Sequence, residues 1–188
     1  MGGRRIAFVA IVLLTGCAIS AQAQPALYTG LATGHLGVAS GGNVQESGLT
    51  LGGSVAVLDN SGLGAEIDLG YTGEYDDTRL DESNITSLMV NFIGVYPHPR
   101  FRPFMVAGVG VLRIGTALTA GQPDTSHTDW AFNAGGGLLY MLNDLVGIRG
   151  DVRYLRFFDR HDDIPFVNNG YFDYWRTSIG LTWTWPVR

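Results

Sequence analysis

From Arg176 to Trp185 the chain alternates without a break. Thr177, Ile179, Leu181, Trp183 and Trp185 fall on one face, and Arg176, Ser178, Gly180, Thr182 and Thr184 on the other. A period of two sends successive side chains to opposite sides of an extended backbone, so this stretch predicts a strand. The same period recurs at about residues 27–38, 48–58, 63–72, 85–96, 102–114, 129–141 and 146–157, and with 172–185 it predicts eight strands. A soluble barrel and a membrane barrel both write such a pattern; they differ in which face meets solvent.

The connections favour the membrane. Residues 39–47, 73–84, 115–128 and 158–171 read as long, whereas Asp59-Asn60-Ser61-Gly62, 97–101 and 142–145 read as short, and the two kinds alternate. Strands running up and down across a bilayer produce that alternation, because one side needs only turns while the other extends outside the cell. An even strand count returns both ends to one side. About ten residues rising ~3.3 Å each at a tilt of ~40° cover roughly 25 Å, the apolar height of an outer membrane.

Mid-strand charges keep to one face. In the third strand Glu66 and Asp68 alternate with Ala65, Ile67 and Leu69; in the seventh Arg149, Asp151 and Arg153 alternate with Ile148, Val152 and Tyr154. In a sequential eight-stranded barrel these strands lie opposite each other across a lumen just wide enough for side chains. Glu66 and Arg149 each stand three residues into an upward strand, hence near one level. With Arg176 the inward set holds three acids and three arginines. Buried charge persists only when paired, so Glu66, Asp68, Arg149, Asp151, Arg153 and Arg176 are expected to form a luminal ion network.

Aromatic residues fall at two levels. Trp183, Trp185, Tyr96 and Tyr140 lie toward the short turns, and Tyr71, Trp130 and Trp175 toward the long connections, as interfacial anchors flanking an aliphatic zone would.

Composition adds the compartment. Only 15% of the 188 residues are charged, 27 are glycine, and all 12 side-chain cations are arginine. Arg4 and Arg5, the apolar run Ile6–Leu14 and Ala21-Gln22-Ala23 read as a signal peptide over residues 1–23, followed by a barrel domain over 24–188. The single cysteine, Cys17, sits in Leu14-Thr15-Gly16-Cys17, which is similar to a lipoprotein lipobox, so lipidation at Cys17 is the competing expectation to cleavage after Ala23. Residues 24–188 hold no cysteine and carry 10 arginines against 17 acids, a formal charge of −7, which argues against disulfides and against nucleic acid as a partner.

Three stretches resemble the small eight-stranded outer-membrane barrels, the OmpA-like, OmpX-like and opacity-type porin family. Residues Arg102-Pro103-Phe104-Met105-Val106-Ala107-Gly108-Val109-Gly110-Val111 are similar to the family's proline-aromatic-glycine fifth strand, and Arg149-Gly150-Asp151-Val152-Arg153-Tyr154 to its charged seventh. Ser178-x-Gly180-x-x-Trp183-x-Trp185 resembles the closing signal read by the barrel-assembly machinery, although Pro186, Val187 and Arg188 follow where such chains usually end on the aromatic. The resemblance implies an all-β, antiparallel, up-and-down transmembrane barrel in the outer membrane of a Gram-negative bacterium. It further implies contact with lipid and lipopolysaccharide, a monomer, and surface loops that meet host or matrix.

Catalysis finds little support. His35, His98, His127 and His161 are scattered and share no nucleophile or metal-ligand spacing, and the His-x-Ser arrangement of lipid A deacylase barrels is missing. No cofactor or metal site is expected. Acidic clusters in two long connections (Glu74, Asp76, Asp77, Asp81 and Glu82; Asp159, Asp162 and Asp163) match no calcium-loop spacing and read as solvated. Tyr75, Ile164, Phe166 and Tyr171 beside them are candidates for surface contact. The alternatives are a secreted, soluble lipocalin-like barrel holding a small ligand, which would need a greasy interior, and a lipid A-modifying barrel enzyme. A general diffusion pore is not expected, because charged groups fill so narrow a lumen.

Overall fold

A computed structural model of the chain describes residues 28–42, 44–73, 82–117, 125–158 and 172–187. Eight strands follow one another: β1 (Tyr28–Gly41), β2 (Val44–Asp59), β3 (Leu63–Gly73), β4 (Glu82–Val95), β5 (Phe101–Ala117), β6 (Thr125–Met141), β7 (Val146–Phe157) and β8 (Asp173–Val187). Each pairs antiparallel with its neighbour in sequence, and β8 closes on β1. Closure satisfies every ladder and leaves no edge, which is what a sheet in hydrocarbon requires.

Register sets the barrel's shape. A path perpendicular to the strands runs Gly30, Val57, Ala65, Phe92, Ala107, Ala134, Tyr154, Trp175 and back to β1 at Ser40, ten residues above its start. With strand rise and spacing of ~3.3 and ~4.8 Å, eight strands and that stagger give a tilt of ~40° and a radius of ~8 Å. Such a lumen takes side chains and little else.

Both described chain ends and the turns 60–62, 96–100 and 142–145 lie at one end of the barrel. In the first turn Asp59 accepts hydrogen bonds from the Ser61 amide (2.8 Å), the Ser61 hydroxyl (2.6 Å) and the Leu63 amide (3.0 Å), while Gly62 takes φ 87°. The Ser61 hydroxyl, then the Leu63 amide, hold this exposed carboxyl below its ordinary range.

One connection differs from expectation. Residues 39–47 read as a long loop, yet β1 continues to Gly41 and β2 starts at Val44, leaving only Gly42 and Asn43 between them. Gly41 and Gly42 have φ of 74° and 60°, and the register shifts between Ala39 and Gly41. The polar composition of this segment hid a hairpin, because beyond the bilayer a ladder needs no apolar alternation. The wide connections are therefore 74–81, 118–124 and the segment after β7.

The apolar face points out: Ile179 and Leu181 are 64% and 63% exposed, and Leu51, Ile67, Val90, Phe92 and Met105 are exposed with them. This is the reverse of a ligand-holding soluble barrel, whose large apolar groups face in. The inward face is layered. At the turn end Leu31, Leu58, Ile93, Val95, Phe104, Val106, Leu139 and Met141 pack into an apolar plug with Ala56. At the other end Ile85, Met89, Leu112, Leu155, Phe157, Phe172 and Tyr174 pack with Ala39 and Ala131 into a second. Between them lies the charge layer.

Candidate functional site

The six charged residues converge at mid-height. Arg149 on β7 reaches across to Glu66 on β3, Nη1 to Oε2 at 2.7 Å, and its Nε lies 3.3 Å from Asp151 Oδ2. Arg153 sits at the centre, 2.9 Å from Glu66 Oε1, 3.2 Å from Asp151 Oδ2 and 3.5 Å from Asp68 Oδ2. Arg176 on β8 donates to Asp68 Oδ1 at 2.6 Å. Neutral groups complete the layer: Asn91 donates to Glu66 (3.1 Å) and Ser178 to Asp151 (2.9 Å). All six charged groups are buried, Glu66 and Asp68 entirely.

Strand period two explains the placement, since Glu66 and Asp68, and likewise Arg149, Asp151 and Arg153, step along one face. Glycine makes the room. A Cβ at Gly70 would collide with the Arg176 guanidinium, and one at Gly135 would touch the Arg153 stem at 3.0 Å. Phe104 from the lower plug lies beneath Arg149, ring centroid 4.3 Å from the guanidinium carbon, a cation–π contact that seals the layer from the turn end.

His35 belongs to this layer too, although in the sequence it is only one of four scattered histidines. It is buried in the lumen, directly across from Gly52 on β2 and Gly180 on β8. A Cβ at Gly52 would overlap its imidazole, and one at Gly180 would come 2.9 Å from its Cβ. The signal was parity: His35 shares its phase with Leu31 and Thr33, not with Leu36 and Val38. Chemically the layer can bind charge and resist deformation. Among the described residues, no cluster of three or more His, Cys, Asp or Glu is disposed to hold a metal ion.

An inside-out barrel with a sealed, ion-paired centre narrows the comparison. Residues 8–184 match the family described as outer membrane protein beta-barrel domain. The chain belongs to that family. No curated protein matches it in sequence. Among solved structures it is similar to Neisserial surface protein A, with 16% identity, TM-score 0.62, and 83% of this chain and 96% of that one covered. The N-terminal β-barrel domain of Pseudomonas aeruginosa OprF gives 15% identity, TM-score 0.57, and 84% and 97% coverage. The attachment invasion locus protein Ail of Yersinia pestis gives 11% identity, TM-score 0.59, and 84% and 98% coverage. At these identities the likeness concerns fold.

In outer-membrane barrels the short turns face the periplasm, and here the turns 60–62, 96–100 and 142–145 share one end. Tyr71, Trp130 and Trp175 stand exposed toward the outer end, and Tyr96 and Trp183 toward the periplasm. Trp185 is half-buried because its ring lies over Gly30 on β1, covering the seam where the barrel closes. Tyr140 is half-buried against Phe101, centroids 4.9 Å apart, an aromatic at this level that the sequence reading did not single out. At the outer level Tyr154 is a further aromatic, 5.1 Å from Trp175 and donating to Asp173 at 3.0 Å. Of the β8 motif, Ser178 and Gly180 face the lumen and Trp183 and Trp185 face out. The leader with Cys17, the acidic residues from Glu74 to Asp81 and from Asp159 to Asp163, His161, Tyr75, Ile164, Phe166 and Tyr171 lie outside the described residues. Glu82 opens β4 and His127 stands third in β6, with their side chains likewise outside them.

Proposed function

We propose that this barrel is a non-enzymatic surface protein, a closed scaffold that holds extracellular connections for contact with host or matrix surfaces. The observation that carries this reading is the filled lumen. Among the described residues two apolar plugs and six ion-paired groups occupy the barrel interior, which leaves specificity to the outer end. There, residues 74–81, 118–124 and 159–171 contribute acids, aromatics and aliphatics. Similarity in fold to an attachment invasion locus protein and to a surface protein supports the direction of the reading.

The same reading includes cleavage after Ala23, insertion by the barrel-assembly machinery through the β8 motif, contact with lipopolysaccharide at the outer aromatic level, and a monomer in the membrane. The test is adhesion of cells expressing the chain to immobilised matrix proteins and cultured epithelial cells. Replacing 159–171 with a short Gly-Ser linker is expected to abolish adhesion while the barrel keeps its heat-modifiable migration on gels. Adhesion equal to that of cells lacking the chain, before any replacement, contradicts the reading.

A further inference from the structure

We propose that the β4–β5 turn is a docking site for the phosphate headgroup of an anionic phospholipid in the periplasmic leaflet. The three turns differ in charge. Asp59 marks the first and Asp144 the third, whereas the second, Tyr96-Pro97-His98-Pro99-Arg100-Phe101-Arg102, carries two arginines and a histidine and no acid. Among the described residues Arg100, exposed, and Arg102, half-buried, are the arginines of the periplasmic end, since Arg149, Arg153 and Arg176 are buried in the lumen and Arg113 and Arg156 lie at the outer end.

The turn is held in one shape before any ligand arrives. Prolines flank His98 on both sides, its Nδ1 accepts the Phe101 amide at 3.3 Å, and its carbonyl accepts Arg102 Nε at 2.8 Å. The first bond fixes the imidazole, and the second holds the Arg102 side chain by its Nε rather than by the fork of its terminal amino groups. The Arg100 carbonyl is anchored by the Met141 amide at 2.9 Å, while its side chain stands exposed. A planar guanidinium fork suits phosphate oxygens, and pre-ordering it lowers the entropy lost on binding.

Position decides in favour of a lipid. Tyr96, Phe101 and Tyr140 lie beside the turn, and Pro103, Met105 and Leu138 continue outward-facing above it, Met105 at 71% exposure. A headgroup at the turn thus leaves its acyl chains against an apolar wall. A lone arginine near an anionic leaflet contributes about five-fold in affinity.

Native mass spectrometry of the folded, full-length protein, titrated in detergent with phosphatidylglycerol or phosphatidylcholine of matched chains, tests this. The wild type is expected to retain phosphatidylglycerol at least five-fold better. R100Q/R102Q is expected to lose that preference, and R100K/R102K to keep part of it; R113Q is expected to leave it intact. Excess inorganic phosphate is expected not to displace the lipid. Heat-modifiable migration establishes that each variant is folded, and H98A, which removes the imidazole that accepts the Phe101 amide and so loosens the turn without removing an arginine, serves should R100Q/R102Q not fold; it is expected to weaken the preference. No preference in the wild type, equal preference in R100Q/R102Q (or in H98A where that variant replaces it), an equal loss in R113Q, or displacement by phosphate alone overturns the proposal.

Discussion

Arg149 and Glu66 meet at 2.7 Å across the full width of the lumen, joining β7 to β3, strands that are not neighbours in the sheet. The pair ties together opposite walls that backbone hydrogen bonds link only through the circumference. Glu66 also accepts from Arg153 and Asn91, so its removal takes the shortest carboxylate contact from two buried guanidinium groups and leaves them to share Asp151 and Asp68. Glu66→Ala is expected to lower unfolding stability by about 3–5 kcal/mol, the range for breaking a buried pair from one side. Replacing Glu66 and Arg149 together with apolar residues of similar volume is expected to cost less. Urea titration of the refolded protein in lipid vesicles checks both; a smaller loss for Glu66→Ala than for the double variant contradicts the account.

Phe104 closes the charge layer from below, its ring under Arg149 and its edge 2.8 Å from where a Cβ at Gly137 would stand. Phe104→Ala is expected to cost about 3–5 kcal/mol through the cavity it leaves. In planar bilayers the wild type is expected to show no large, steady channels, and Phe104→Ala brief, small openings. Large steady channels from the wild type would show that the plugs do not seal.

Gly180 has two readings that separate cleanly. As part of an assembly signal it matters only inside cells; as the partner of His35 across β8 and β1 it matters in the folded barrel. A Cβ there would collide with the Gly34 carbonyl oxygen and press on His35. Gly180→Ala is expected to destabilise protein refolded without assembly factors by about 1–3 kcal/mol. An unchanged unfolding midpoint with reduced yield in cells would assign this glycine to assembly alone.

The Asp59 carboxyl is held below its ordinary range chiefly by the Ser61 hydroxyl. A lowered folded pKa stabilises above the unfolded value, ~3.9, and that contribution disappears as pH falls through the folded value. Asp59→Ala is therefore expected to be less stable than wild type at pH 7, with the gap narrowing as pH drops below about 4. Paired urea titrations at several pH values check this; a gap that widens toward acid contradicts it.

Much of the fold was legible because alternation survives wherever one face meets lipid. The six luminal charges were legible for the same reason: Glu66 and Asp68 interrupt an apolar alternation in a fixed phase, and phase is geometry in a strand. The plugs were not. In Met89-Val90-Asn91-Phe92-Ile93 both faces carry bulky apolar residues, and Asn91 alone marks the phase that sends Ile93 into the lumen and Phe92 to lipid. His35 lay in a glycine-rich run whose apolar residues change phase between Leu31 and Leu36. The β1–β2 hairpin was hidden by loop-like composition in a ladder that continues beyond the bilayer.

The central claim is that β8 turns its apolar side to lipid and its polar side to a sealed lumen. Single cysteines placed in turn at 176–185, spin-labelled and reconstituted, report this through collision with oxygen, which concentrates in lipid, and with a water-soluble nickel chelate. Labels at 177, 179 and 181 are expected to collide with oxygen and not with nickel, and those at 178, 180 and 182 with neither. Nickel access at 177, 179 and 181 would place that face in water and contradict the account.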